Sequence, residues 1–275
     1  MQDTTYRRPI AWASCAATHT GMVRELNEDA ILSQPECDHW AVADGMGGHK
    51  VGDLASKKII EGLERLNLPA GLEQAVDDIE DQMIAINREL QDYALQHLDG
   101  STIGSTLVDL VIRGRVGVCL WAGDSRLYRY RHQRLEQVTR DHSQVADWVQ
   151  MGVLSEEEAR DHKASNVITR AVGVEDSLYL DATLVDTQMG DIFLLCSDGL
   201  HSVLEPNEIA EILACRDPKK CTDELIARAL DAGAPDNISV IVIKGEPGKI
   251  ARCEPTWCEP DRCEQRSEEE GTPLA

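Results

Sequence analysis

The residues most able to do chemistry are acids at the ends of hydrophobic runs: Glu28-Asp29, Asp44-Gly45, Gly123-Asp124-Ser125, Ser197-Asp198-Gly199 and Asp236-Asn237. Carboxylates at strand edges can converge in space without being neighbours in sequence. Gathered at one spot they repel one another and take up protons unless a cation neutralises them. An all-oxygen donor set selects hard ions, magnesium or manganese rather than zinc. One Asp-Gly or Asp-Asn pair is an ordinary turn; aspartates 44, 124, 198 and 236, read together at strand termini beside Glu28-Asp29, exceed what turn chemistry explains.

Asp44-Gly45-Met46-Gly47-Gly48-His49 directly follows a strand-like run, which places a carboxylate at a glycine-rich turn where backbone can approach a ligand closely. A nucleotide loop does not fit: Gly45-Met46-Gly47 would need a glycine where Lys50 stands, and no Gly-Lys-Ser/Thr ends a phosphate loop. The glycines are expected to shape a cation site.

The elements that must position these acids follow from periodicity. Residues 40–43, 106–112, 116–121, 126–130, 192–196 and 238–243 are short apolar, β-branched runs, each predicting a strand. Helical patterns cover about 53–66 and 72–98. In the longer one Leu72, Val76, Ile79, Met83, Ile86, Leu90 and Tyr93 alternate steps of four and three and share one face. That stripe is short for a dimerising coiled coil, so packing onto a sheet is expected. Further helices are predicted at 206–213 and near 221–232, and the whole order implies an α+β arrangement with sheets inside and helices outside. Residues 141–171 break the strand rhythm with two short helices, 145–151 and 155–160, the second capped by Ser155-Glu156-Glu157-Glu158. An insertion beside the site is expected there.

At 275 residues the chain suits one large domain. Its net charge of -22, from 49 acidic and 27 basic residues, argues against nucleic acid or an anionic membrane surface as partner. No run approaches the ~20 apolar residues of a spanning helix, and the first residues lack a signal peptide's apolar core, so a cytoplasmic monomer is expected. The nine cysteines are odd in number, and Cys119 and Cys196 sit inside apolar runs, which fits reduced thiols. A folded domain over 1–245 is expected to give way to an acidic, disordered tail over 246–275. Cys253, Cys258 and Cys263 recur in that tail without a Cys-x-x-Cys pair, so a solvated tail is preferred to a metal clip.

The motifs, taken in order, resemble the metal-dependent Ser/Thr protein phosphatases of type 2C from about Thr18 to Ile243. The resemblance rests on Thr20-Gly21-Met22-Val23-Arg24-Glu25-Leu26-Asn27-Glu28-Asp29, Val42-Ala43-Asp44-Gly45-Met46-Gly47-Gly48-His49, Gly104-Ser105-Thr106, Ala122-Gly123-Asp124-Ser125-Arg126, Thr139-Arg140-Asp141-His142-Ser143, Ile168-Thr169-Arg170-Ala171-Val172-Gly173, Cys196-Ser197-Asp198-Gly199-Leu200 and Asp236-Asn237-Ile238-Ser239. It implies a four-layer α/β/β/α sandwich, two central antiparallel sheets flanked by helix pairs, with metals at one end.

By that likeness Asp44 bridges two Mn2+ or Mg2+ ions, Asp198 and Asp236 complete the first, and the Gly45 carbonyl with Glu28 or Asp29, directly or through water, serves the second. Asp124 matches the position that, with Asp198, holds a third ion in bacterial members. Paired ions about 3.5 to 4 Å apart lower the pKa of a shared water enough to supply an in-line attacking hydroxide. Arg24 matches the phosphate clamp, a planar fork for two phosphate oxygens. Met46 departs from the eukaryotic pattern, which places a histidine after this Asp-Gly as a proposed general acid; His49 and His142 are nearby alternatives that structural roles explain equally well. Segment 141–171 matches the bacterial flap, where Arg140, Lys163 and Arg170 could offer positive charge to a phosphopeptide.

The leading expectation is a stand-alone bacterial hydrolase that removes phosphate from serine or threonine of phosphorylated proteins, opposing a cognate Ser/Thr kinase. The chain also looks similar to phosphatases paired with kinases that regulate secretion machinery such as type VI systems. The alternatives are a non-catalytic phosphoprotein-binding module, which would have lost ligands that are all present here, and a partner-switching phosphatase of the same superfamily, in which the Arg24 position usually differs.

Overall fold

Leu107 and Val111 pack to one side of their strand, whereas Val108, Leu110 and Ile112 pack to the other. This two-residue alternation, repeated in neighbouring strands, generates the layers. The computed structural model describes residues 9–47, 51–99, 101–160, 162–164 and 167–248. The strands are β1 (Ile10–His19), β2 (Asp29–Gln34), β3 (His39–Met46), β4 (Gly104–Ser105), β5 (Leu107–Arg113), β6 (Val116–Ala122), β7 (Arg126–Arg131), β8 (Arg134–Gln137), β9 (Asp181–Asp186), β10 (Ile192–Cys196) and β11 (Ile238–Pro247). The helices are α1 (Gly52–Glu64), α2 (Leu72–His97), α3 (Gln144–Gln150), α4 (Glu156–Arg160), α5 (Asp198–His201), α6 (Pro206–Leu213) and α7 (Pro218–Asp231).

One sheet has the order β1-β11-β10-β7-β8; the other has β2-β3-β5-β6-β9, with β4 added beside β3. Every pairing is antiparallel. Trp12, Trp40, Val42, Trp121, Phe193, Leu195 and Ile241 fill the space between the sheets. Helices α1 and α2 cover the outer face of the second sheet through Ile59, Leu63, Ile79, Met83 and Leu90, while α6 and α7 cover the first through Ile209, Leu213 and Leu225. The result is the expected α/β/β/α sandwich.

The α2 stripe packs on the sheet through Leu90 and then passes to Ala94; Tyr93 turns outward and stacks on His97. The α4 cap is the reciprocal pair expected, with Ser155 N–H donating to Glu158 Oε2 at 2.8 Å and Glu158 N–H to Ser155 Oγ at 3.2 Å. Five strands escape prediction for physical reasons, the two-residue β4 among them because it is too short to carry a pattern. β1 is dominated by alanines rather than β-branched residues, β2 and β8 are short, and β9 is a mostly exposed edge. β11 runs to Pro247, past the expected boundary at 245. The expected tail with Cys253, Cys258 and Cys263, and the residues Gly48, His49 and Lys50, lie outside the described residues. The six described cysteines are free thiols. Among the described residues no helix is long and apolar enough to cross a membrane.

Candidate active site

Asp29 and Asp44 are direct partners in the β2–β3 register, so both carboxylates leave the same face of that sheet. Trp40 and Val42, which alternate with Asp44 along β3, lie in the core between the sheets. Asp44 and Asp29 therefore stand at one end of the inter-sheet space. The first sheet supplies the others: Asp198 opens α5 just after β10, and Asp236 precedes β11. Asp124 follows β6. Asp44 differs from the expected turn position, because β3 continues through Gly45 and Met46 to pair with β4. The turn begins only at Gly47.

Gly45 is dictated by crowding: a Cβ there would lie 2.1 Å from the Gly52 carbonyl oxygen and 2.7 Å from that of Glu28. Its N–H donates to Glu28 O at 3.1 Å, which holds the β2 entry against β3. Asn237 ties the same corner together. Its Oδ1 accepts from Glu28 N–H at 2.8 Å, and its Nδ2 donates to the carbonyls of Thr20 and Leu26 at 2.8 and 2.9 Å. Ser197 joins the two sheets, its hydroxyl donating to Asp29 Oδ2 at 2.8 Å while its oxygen accepts Ser239 N–H at 2.9 Å. Thr106 Oγ1 accepts Asp44 N–H at 3.1 Å and bonds Ser125 Oγ at 2.7 Å. Ser197, Asn237, Thr106 and Ser125 sit inside the motifs read from the sequence, but their bonds reach residues far along the chain; Ser197, Asn237 and Ser125 were hinted at by position beside an aspartate, and Thr106 only by its place in Gly104-Ser105-Thr106.

Burial raises the Asp29 carboxyl to about 7, that of Asp124 to about 8 and that of Asp198 to about 6, and the neighbouring acids push in the same direction. Asp44 is held well above the usual range, first by burial and then by Asp29, Asp198, Asp124 and Asp236. Asp44 and Asp198 are hydrogen-bonded side chain to side chain. Arg24, on the turn after β1, donates from Nη2 to Asp236 Oδ2 at 2.6 Å. Among the described residues no three His, Cys, Asp or Glu side chains already hold the close geometry of a coordinated ion; these acids are bonded to one another, to Ser197 and to Arg24.

Three observations fit the group to divalent cations. The donors are all oxygens, they repel one another, and Oδ1 of Asp29, Asp124 and Asp198 is buried with no hydrogen-bond partner among the described residues.

Beside the cluster, the Arg126 guanidinium clasps Asp141 with contacts of 2.7 to 3.1 Å and donates to Tyr128 Oη at 2.7 Å. His201 Nε2 donates to Asp124 O at 3.0 Å, and burial lowers that ring to about 3, so it stays neutral. His142 accepts Gly123 N–H on Nδ1 at 3.1 Å and stacks on Trp121. Its Nε2 faces Asp181 at 3.3 Å, which makes it an organiser of this segment. Met46 packs its methyl group toward Gly104. Of the basic residues that could offer charge to a phosphopeptide, Arg170 pairs with Asp181 and Arg140 with Asp147 at 3.2 Å, while Lys163 is exposed.

A two-sheet sandwich with an oxygen-only acidic cluster at one end defines a hydrolase of the metal-dependent type. The protein phosphatase 2C profile matches residues 19–232, and the chain belongs to that family. It is 33% identical over 235 residues to the serine/threonine phosphatase stp of Listeria monocytogenes serovar 1/2a, covering 82% of this chain and 93% of that protein. Among solved structures it resembles PppA, described as a key regulatory component of T6SS in Pseudomonas aeruginosa, with 40% identity and a TM-score of 0.79 over 85% of this chain and 97% of that one. It also resembles the catalytic domain of the phosphatase PstP in complex with two manganese ions, with 29% identity and a TM-score of 0.78 over 86% and 99% of the chains.

Proposed function

We propose that the chain hydrolyses phosphoserine and phosphothreonine on proteins, using two divalent ions held by Asp44, Asp198, Asp236, the Gly45 carbonyl and Glu28 or Asp29. Asp124 with Asp198 would hold a third. The observation that carries this reading is the cluster of buried, mutually repelling carboxyls, whose orphaned oxygens suit manganese or magnesium. Bound there, the ions supply an activated water and neutralise charge on the phosphoryl oxygens.

The chain's own groups do the positioning. Arg24 presents a planar fork to two phosphate oxygens, and its present partner Asp236 keeps it over the cluster. Ser197 and Asn237 fix Asp29 and the Glu28 backbone, so the acids from both sheets keep their separation as charge develops on the substrate. The likeness to PppA supports a role in the regulation of a type VI secretion system, where a Ser/Thr phosphatase would act opposite a Ser/Thr kinase. Turnover of p-nitrophenyl phosphate and of phosphothreonine peptides with manganese, abolished by chelator, tests the activity. No turnover with any divalent metal would overturn it in favour of a phosphoprotein-binding module.

A further inference from the structure

We propose that the recess around Arg24, walled by Val23, Leu26 and Pro235, is the docking surface for the residues flanking the phosphorylated side chain, selecting an apolar neighbour and a basic residue opposite Glu25. The proposal rests on the phosphatase reading and names the substrate feature it selects.

The recess has a volume of about 440 Å³ and is lined by Val23, Arg24, Glu25, Leu26, Glu28 and Pro235. It thus contains the phosphate fork itself. Val23 is 69% exposed and Leu26 43%, with Met22 beside them at 66%. A run of exposed apolar side chains is a mark of an interaction site when the backbone beneath it is held in place. Here it is held at both ends. Met22 N–H donates to Ala234 O at 2.9 Å, and Asn237 Nδ2 holds the Thr20 and Leu26 carbonyls. Gly21, at φ +81°, lies so close to the Asp236 backbone that a Cβ would come within 2.2 Å of its carbonyl oxygen. The turn is a seated platform that presents its apolar side chains outward.

Chain geometry then fixes what those side chains meet. Successive residues of an extended peptide are about 3.3–3.6 Å apart, so a phosphoresidue seated on Arg24 sets its immediate neighbours over Val23, Leu26 and Pro235. Charge adds the second preference. Exposed Glu25 rims the recess of a chain with net charge -22, which favours lysine or arginine in the incoming segment. A second cleft, of about 800 Å³, runs from Asp124 and Asp198 past Val145, Val149 and Pro206, but Arg24 is not among the residues that line it.

The test compares two phosphothreonine peptides on the manganese-loaded full chain, one flanked by leucine and lysine, the other by serine and glutamate. The leucine/lysine peptide should show at least about 10-fold higher kcat/KM. Val23→Ser with Leu26→Ser should erase the leucine part while p-nitrophenyl phosphate turnover and the melting temperature hold. Glu25→Lys, on an exposed side chain, should reverse the lysine-over-glutamate part. Equal kcat/KM for the two peptides in the wild type, a preference undiminished in the double variant, or one lost only with Val149→Ser would overturn the docking assignment with the phosphatase activity intact. Failure of the wild type on p-nitrophenyl phosphate as well would instead overturn the activity on which it rests.

Discussion

Asp44 and Asp198, carried by opposite sheets, meet side chain to side chain. Two ionised carboxylates would repel at that contact, so one of them keeps a proton, and the upward shift of Asp44 by burial is the matching electrostatic result. On the proposed metal site, a cation seated between them would take over the role of that proton. Metal binding and proton release are therefore two readings of one event.

Manganese binding near pH 7 should release protons, about one or more per chain, because without metal the raised carboxyls of Asp44 and Asp124 retain theirs and Asp29 does so in part. Calorimetric titration in two buffers of different ionisation enthalpy measures the number directly. Binding heats that do not depend on the buffer would remove these acids from the metal site.

Stability without metal should fall as pH rises. Asp198, Asp29 and Asp124 hold their protons up to about 6, 7 and 8 in the folded chain, well above an unfolded carboxylate at about 4. The folded state thus binds more protons across that window, and the linkage makes unfolding easier as pH climbs through it. With chelator the melting temperature should drop by several degrees between pH 5.5 and 8. Saturating manganese should flatten or reverse the trend, and a metal-free protein that becomes more stable toward pH 8 would contradict the assignment.

Arg24→Ala should cut kcat/KM for phosphopeptides by about 10- to 100-fold, as expected for losing charged hydrogen bonds to phosphate. Arg24→Lys should recover only part of it, since a point charge lacks the fork. The side chain is 45% exposed and its ion pair with Asp236 stabilises little, so unfolding midpoints should barely move. An unchanged dependence of rate on phosphopeptide concentration argues against the clamp.

Asp44→Asn and Asp198→Asn should each remove more than about 100-fold of the activity, since even supporting residues around a metal cost about 10- to 100-fold. Ser197→Ala, which removes the hydroxyl that donates to Asp29 Oδ2, should weaken manganese binding within that smaller range and cost about 1–3 kcal/mol of stability. Near-normal turnover in either aspartate variant would undo the metal site. Denaturant unfolding separates the serine effect on folding from that on binding.

Much of this architecture was legible without coordinates. The apolar runs at 106–112, 192–196 and 238–243 became central strands within a residue or two, apart from the longer β11, because burial on both faces demands continuous apolar residues. The α2 stripe was visible through Leu90, after which the buried face continues at Ala94 rather than at Tyr93. Weakly patterned β1 and β9 were not, since an edge strand is specified by its partner more than by its own residues.

The amino-acid order alone determined that acids would stand at strand ends beside small, turn-forming residues, and that hard cations were their natural ligands. Only tertiary structure decided which of them share a proton, that Ser197 would donate to Asp29 from 168 positions away, and that Arg140 and Arg170 would be taken up by Asp147 and Asp181. Those outcomes depend on which face each strand turns to the inter-sheet space and on the register between strands. Both are settled by packing the three apolar cores together, and no local run of sequence contains them.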